Sequence, residues 1–216
     1  VHDTEKTQQI LIAGPAWVGD MVMAQSLFMT LKQRATAVEI DVLAPAWSKP
    51  ILARMPEVRE AISLPVAHGE FGLLRRYQSG KTLKEKHYDQ AIITPRSYKS
   101  ALVPFFANAK QRTGYLGEMR YGVLNDIRSL DKTILKQTVQ RYVALGLTKD
   151  SPQPPNIPIP KLQVDKNNLQ RLISALKLNL DKPVIAMLPG AEYGEAKRWP
   201  IKYYAELALK LHAQGF

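Results

Sequence analysis

The strongest constraint on the fold is a short apolar run, Ile10-Leu-Ile-Ala13, cut off by Gly14-Pro15 and followed at once by a helical pattern. A run that is apolar without alternation suits a strand buried on both faces. Such strands belong to parallel sheets covered by helices on either side. Over residues 20–34, Met21, Ala24, Leu27, Phe28 and Leu31 share one helical stripe. Residues 38–43 predict a second strand, stopped by Ala44-Pro45. A short helix over 48–55 and a third strand over 61–64 follow. A basic helical segment over 71–87 is expected to bend or break near Gly80. Residues 90–94 predict another strand ending at Pro95, 97–107 a helix despite Pro104, and 136–146 an amphipathic helix. This β-α-β-α alternation implies an α/β fold with a doubly wound, Rossmann-like sheet.

A boundary follows. Prolines at 152, 154, 155, 158 and 160 leave only Ile157 and Ile159 to anchor a core. Proline fixes φ and removes a backbone donor, so the segment predicts an extended linker. The expected organisation is a Rossmann-like domain over 1–150, a linker over 151–162 and a second domain beginning at 163. In that domain a helix over 165–178, a strand over 183–188 and a helix from about Pro200 are expected. One strand and two helices cannot cover both faces of a sheet, so the second Rossmann-like domain is expected to be incomplete. The polar residues 1–9 read as a leader.

Thirty Lys and Arg against nineteen Asp and Glu give a net charge of +11. Such an excess favours an anionic partner: nucleic acid, anionic lipid or a phosphorylated substrate. Cysteine is absent, which excludes disulfides, thiolate nucleophiles and cysteine-based zinc sites. No apolar run reaches the roughly 20 residues that span a bilayer. The four histidines, at 2, 68, 87 and 212, lack metal-ligand spacing.

Two glycine loops stand between a strand and a helix, where a doubly wound sheet binds ligands. Gly14-Pro-Ala-Trp-Val-Gly-Asp20 has neither the Gly-x-Gly-x-x-Gly spacing nor the lysine of a P-loop. It presents a carboxylate, Asp20, which could take a proton from an attacking hydroxyl or simply cap the helix. Spacing alone favours the cap. Pro189-Gly-Ala-Glu-Tyr-Gly-Glu-Ala-Lys-Arg-Trp-Pro200 opens the last helix. There Lys197, Arg198 and the free N–H groups of the helix start could hold a phosphate; a solvated basic loop is the plain alternative. Arg75, Arg76, Lys81, Lys84 and Lys86 crowd one segment beside Leu73, Leu74 and Tyr77, and Arg96, Lys99, Lys110, Arg112 and Arg120 follow. A basic amphipathic stretch can lie on an anionic membrane or grip an acidic substrate, although most charge runs are solvated faces.

Several stretches together carry a resemblance. Gly-Pro-Ala-Trp-Val-Gly-Asp-Met-Val-Met-Ala-Gln-Ser-Leu (14–27), Ala-Pro-Ala-Trp (44–47), Arg-Met-Pro-Glu-Val (54–58) and Lys-Ser-Ala-Leu-Val-Pro-Phe-Phe-Ala (99–107) resemble glycosyltransferase family 9, the ADP-heptose:lipopolysaccharide heptosyltransferases. So do Arg-Thr-Gly-Tyr (112–115), Gly-Glu-Met-Arg-Tyr-Gly-Val-Leu-Asn-Asp (117–126), Gln-Arg-Tyr-Val-Ala-Leu (140–145) and the 189–200 loop. The resemblance implies a GT-B architecture, with an acceptor domain first and an ADP-heptose domain second. By resemblance Asp20 matches the catalytic base, and Lys197 a lysine on the donor phosphates, with Arg198 and Gly19 as further donor-side candidates. Arg120, Lys99, Arg75 and Arg76 are the candidates for the acceptor side.

The implied reaction is inverting transfer of L-glycero-D-manno-heptose from ADP-heptose to the first heptose of heptosyl-Kdo2-lipid A, with no cofactor and no metal. It would take place in the cytoplasm at the anionic inner-membrane surface of a Gram-negative cell, and nucleic acid is not an expected partner. Later donor-domain motifs of the family are not found, so these 216 residues alone are expected to be inactive. Alternatives are a family 9 enzyme with another acceptor, or a non-catalytic anionic-ligand or nucleic-acid-binding module. Aromatic content of 8% and the lack of a nucleic-acid motif weigh against the last.

Overall fold

Ile10 and Ile12 pack into one apolar core, and Leu11 and Ala13 into a second, as the period of two along a strand requires when both faces are covered. They lie on β1 (Gln8–Ala13) of a computed structural model that describes residues 7–35, 37–66, 69–191 and 194–216. Most of the expected leader, His2, His68, Glu192 and Tyr193 lie outside the described residues. The chain divides into two compact units, Val1–Gln163 and Val164–Phe216.

The first unit is built on a six-stranded sheet whose paired strands are all parallel. In chain order the strands are β1, β2 (Val38–Ala44), β3 (Val58–Ser63), β4 (Gln90–Ile93), β5 (Gln111–Tyr115) and β6 (Asp126–Arg128). In space they run β3-β2-β1-β4-β5-β6. The helices are α1 (Val18–Arg34), α2 (Lys49–Leu52), α3 (Leu73–Leu83), α4 (Leu102–Phe106) and α5 (Thr138–Leu145). Residues of α1 and α5 fill the first core with Ile40, Val42 and Ile92, and residues of α3 and α4 fill the second with Leu43, Ala91 and Ile93. Full burial of a side chain such as Phe28 or Leu27 stabilises by about 1.5–3 kcal/mol.

The expected break at Gly80 is absent, because the glycine serves packing. A Cβ there would stand 2.4 Å from Phe106 Cβ and 2.9 Å from the Val103 carbonyl oxygen, so its absence lets α3 and α4 touch. The helix expected over 97–107 divides into a 3-10 turn, Tyr98–Ala101, and α4. Pro104 is the third residue of α4, where no backbone N–H is needed for the helix ladder.

Two strands escaped the sequence reading. β5 reads Gln-Arg-Thr-Gly-Tyr, and its polar side chains are satisfied across the sheet: Gln111 Nε2 and Thr113 Oγ1 each donate to Asp126 Oδ2 at 2.9 Å. β6 has only three residues. A second buried carboxylate, Asp41 on β2, accepts from Arg59 Nε (2.8 Å) and Nη2 (2.6 Å), Tyr88 Oη (2.6 Å) and Lys86 Nζ (3.1 Å). Burial works against its charge, but the bonds from Arg59, Tyr88 and Lys86 outweigh it and hold the carboxyl below its ordinary range.

The proline-rich segment carries neither helix nor strand and is held within the first unit. Ser26 Oγ donates to the Pro158 carbonyl at 2.7 Å, and the Gln163 amide donates to the Arg54 carbonyl at 2.8 Å. This explains why α1 buries the polar residues Gln25 and Ser26 beside its apolar ones.

The second unit holds α6 (Lys166–Leu176) and α7 (Ile201–Ala213). Asp165 caps α6 by accepting from the Asn168 amide at 3.0 Å. The strand expected over 183–188 does not form. A parallel strand exists only when a neighbour completes its ladder, and the described residues of this unit provide none. Its apolar side chains stay exposed, Leu188 to 80%. Among the described residues no helix is long and apolar enough to cross a membrane.

Candidate active site

From β1 the chain moves outward through β2 and β3, then crosses back to lay β4 on the other side of β1. The order therefore reverses between β1 and β4. Outside the carboxyl ends of those two strands lies the crevice where doubly wound sheets bind ligands. Its floor is fixed by backbone contacts. Thr94, just after β4, donates to the Ala13 carbonyl through both N (3.1 Å) and Oγ1 (3.0 Å). Gly14 donates its N–H to the Leu43 carbonyl at 2.9 Å. A Cβ on Gly14 would lie 3.0 Å from Met21 Cε and 3.2 Å from Val42 Cγ1, so any larger residue here must push those side chains aside.

Gly19 is different. A Cβ there would meet nothing within 4 Å. It occupies the first turn of α1, and its lack of a side chain leaves the positive end of the helix open to a ligand. Trp17 takes the N-cap position with no side-chain cap bond, and Asp20 falls two residues inside the helix start. The cap role that spacing favoured for Asp20 is therefore not the one the fold gives it. Its half-buried carboxylate makes no hydrogen bond or ion pair with the described residues. Its charge acts on Tyr142 of α5. Burial first, and the Asp20 charge second, hold that phenol well above its ordinary range. Asp20 is thus a carboxylate at the crevice, set at a helix start and left unengaged by the described residues.

The basic residues divide into exposed ones and buried fasteners. Arg120 is wholly buried: Nη1 donates to the Pro95 carbonyl at 2.8 Å, Nη2 to the Tyr115 carbonyl, and Nε has no partner. Burial, and then the neighbouring Arg96 charge, push its pKa down to about 10. An enclosed guanidinium cannot meet an acceptor, so the acceptor role expected of Arg120 gives way to a structural one, tying the loop after β4 to the end of β5. Arg76 is also buried, with Nε on the Phe71 carbonyl (2.7 Å) and Nη1 on the Lys99 carbonyl (3.1 Å). It too is withdrawn from the acceptor side. Lys99 Nζ donates to the carbonyls of Gly69 (3.0 Å) and Glu70 (3.3 Å), which joins the loops after β3 and β4. Arg75 is exposed; its Nη1 donates to the Pro65 carbonyl at 3.3 Å and pairs with Glu70 Oε2 at 3.4 Å.

In the second unit, Lys197 closes a 3-10 turn, Glu195–Lys197, and is exposed. Arg198 instead folds back, with Nε and Nη2 on the Ala191 carbonyl at 3.0 and 2.8 Å. Trp199 stacks on Tyr203, with ring centroids 5.6 Å apart, and anchors the loop to the start of α7. Lys197 is thus presented and Arg198 shapes the loop. Two residues of the crevice were not singled out from sequence as site residues. Thr94 carried no signal beyond its place at a strand end, and Tyr142 read only as one apolar position of an amphipathic helix. Among the described residues no cluster of three His, Asp or Glu could hold a metal ion.

Known proteins share this sequence and fold. The sequence model described as glycosyltransferase family 9 (heptosyltransferase) matches residues 76–216. Lipopolysaccharide heptosyltransferase 2 of Salmonella typhimurium is 50% identical over 215 residues, covering 96% of this chain and 61% of that protein. The protein of the same name in Escherichia coli strain K12 is 49% identical over the same extent. Among solved structures, E. coli ADP-heptose lps heptosyltransferase II superimposes with a TM-score of 0.85 at 44% identity, over 97% of this chain and 62% of that one. The chain therefore spans about 61% of the length of these relatives.

Proposed function

This chain belongs to glycosyltransferase family 9, the heptosyltransferases, and on that premise we propose that its protein transfers L-glycero-D-manno-heptose from ADP-heptose to the first heptose of the lipopolysaccharide inner core. The observation that carries the reading is Asp20: a half-buried carboxylate at the switch point, engaged by no side chain among the described residues. Identity near 50% to two heptosyltransferases numbered 2 supports the acceptor.

The steps follow from the residues. Asp20 takes the proton from a hydroxyl of the acceptor heptose. The oxygen attacks the anomeric carbon of the donor from the face opposite the pyrophosphate, and the bond to ADP breaks with inversion. Negative charge grows on the departing phosphate. Lys197 and the amide groups opening α7 are suited to stabilise it, since preorganised cations and dipoles act most strongly where charge develops. No metal or other cofactor enters this scheme. The acceptor in this reading is heptosyl-Kdo2-lipid A, reached from the cytoplasmic face of the inner membrane.

The test is mass spectrometry of that acceptor after incubation with ADP-heptose and a protein of the relatives' full length carrying this chain. A gain of one heptose is expected, with at least a hundredfold loss in Asp20→Asn, in line with the roughly 10²–10⁴ contributed by general bases. Transfer only onto Kdo2-lipid A lacking heptose would replace the acceptor, and full activity of Asp20→Asn would remove Asp20 as base.

A further inference from the structure

The outward face of α3 is the feature that the transfer reading leaves unused. Leu73, Leu74 and Tyr77 are 51%, 67% and 46% exposed, and Phe71 just ahead of the helix is 49% exposed. Residues 73 and 77 are one turn apart, so they stack along the helix, and Lys81 continues that row in the next turn. Tyr77 meets Phe106 edge-on at 5.1 Å, and Phe106 meets the exposed Phe105 at 5.5 Å, which extends the apolar surface onto α4. Two cations beside it are not neutralised: Lys81 and Lys84 are exposed without an ion pair among the described residues, while Arg75 reaches the Pro65 carbonyl at 3.3 Å and Glu70 at 3.4 Å. Single exposed apolar residues are ordinary, but a contiguous apolar face flanked by unpaired cations marks an interaction surface.

Position adds a second argument. In a parallel sheet every crossover helix starts at the carboxyl ends of the strands, so the first turn of α3 shares the end of the molecule that carries the crevice. It is also fixed there. Arg76 and Lys99 lock the loop before α3 to the segment after β4. Two of the four basic residues expected to grip the acceptor thus hold this apolar face beside the crevice.

We propose that the exposed face of α3 (Phe71, Leu73, Leu74 and Tyr77, with Arg75, Lys81 and Lys84 around them) docks the protein on an anionic lipid bilayer, with the crevice turned toward it. The occupant is argued from charge. A protein interface core is depleted of charged residues, whereas an interfacial helix combines leucine and aromatic side chains with lysine and arginine that meet anionic headgroups. The net charge of +11 acts in the same direction at longer range. The inference rests on the reading that the acceptor sits in a membrane, but its test contains neither donor nor acceptor.

The experiment is flotation of the protein with vesicles of phosphatidylcholine alone and with phosphatidylglycerol added. Binding to the anionic vesicles is expected, weakening as salt rises. The Leu74→Ser/Tyr77→Ser and Lys81→Glu/Lys84→Glu variants should each lose about tenfold in binding while staying folded, with the parent's melting temperature kept by the lysine pair, which faces solvent, and lowered only modestly by the other, which gives up the edge contact of Tyr77 with Phe106. Asp20→Asn should float like the parent, which separates docking from catalysis. Equal flotation by the α3 variants, or no flotation by the parent, would overturn the proposal. So would self-association of the parent that the Leu74→Ser/Tyr77→Ser pair abolishes, because the face would then belong to a second copy.

Discussion

Gln25 and Lys161 are joined by two hydrogen bonds of opposite sense: Gln25 Nε2 donates to the Lys161 carbonyl at 3.0 Å, and the Lys161 amide donates to Gln25 Oε1 at 2.9 Å. One amide side chain thus completes a backbone peptide unit as a neighbouring strand would. The same nitrogen also reaches Glu57 Oε2 at 3.1 Å. Because Gln25 is wholly buried on α1, next to the helix start that carries Asp20, the contact couples the connecting segment to the element bearing the proposed base.

Gln25→Leu keeps the bulk but leaves the Lys161 N–H and carbonyl unmatched. A loss of about 1–3 kcal/mol is expected from such orphaned groups, read as a lower urea midpoint. Faster protease cleavage within residues 151–163 should accompany it. An unchanged midpoint and cleavage rate would mean that Pro158 and Gln163 hold the segment without Lys161.

Asp126 should shape the acid limb of stability. Despite burial, bonds from Arg128, Thr113 and Gln111 bring its carboxyl down to about 2 from an ordinary 3.8. In the unfolded chain the group takes up its proton first as pH falls, so its contribution is fully present above about pH 4 and is lost between there and pH 2. The difference corresponds to about 2 kcal/mol. Urea midpoints measured across that range should fall more steeply for the parent than for Asp126→Asn. Parallel curves would show that Asp126 keeps an ordinary titration.

The sequence revealed the strands that are apolar and hid those that are not. Ile10–Ala13 and residues 90–94 announce themselves because both faces of each strand meet helices. Thr113 and Asp126 satisfy each other across β5 and β6, and such a pairing has no periodic signature. The place of Asp20 at the helix start was legible because a glycine loop between strand and helix limits where a carboxylate can go, whereas its proposed role as base came from the family resemblance. Arg120 was not, since nothing local says that a guanidinium will be enclosed by the carbonyls of Pro95 and Tyr115. The strand expected over 183–188 shows a further limit: apolar pattern predicts a strand, but the ladder needs a partner elsewhere.

Gly80→Ala should reverse the usual sign for an internal helix glycine. Alanine is normally favoured there by about 1 kcal/mol. Here the new methyl would overlap Phe106 Cβ and the Val103 carbonyl, forcing α3 and α4 apart. Overpacking of this kind costs about 1–3 kcal/mol, so a lower melting temperature is expected. A higher one would mean that the helices separate freely and that the contact is loose.

Arg120 offers the sharpest separation of a structural from a substrate-binding role. Arg120→Met retains length and removes the bonds that join the loop after β4 to the end of β5. Two buried carbonyls lose a donor, but the chain no longer encloses a charge without a carboxylate partner, so the two effects partly offset. A net loss of about 2 kcal/mol is expected. Well below the melting temperature, KM for the acceptor should stay within about twofold while kcat falls, because the residue shapes the crevice without touching substrate. A manyfold rise in acceptor KM at unchanged stability would return Arg120 to the acceptor site and require the crevice to open around it.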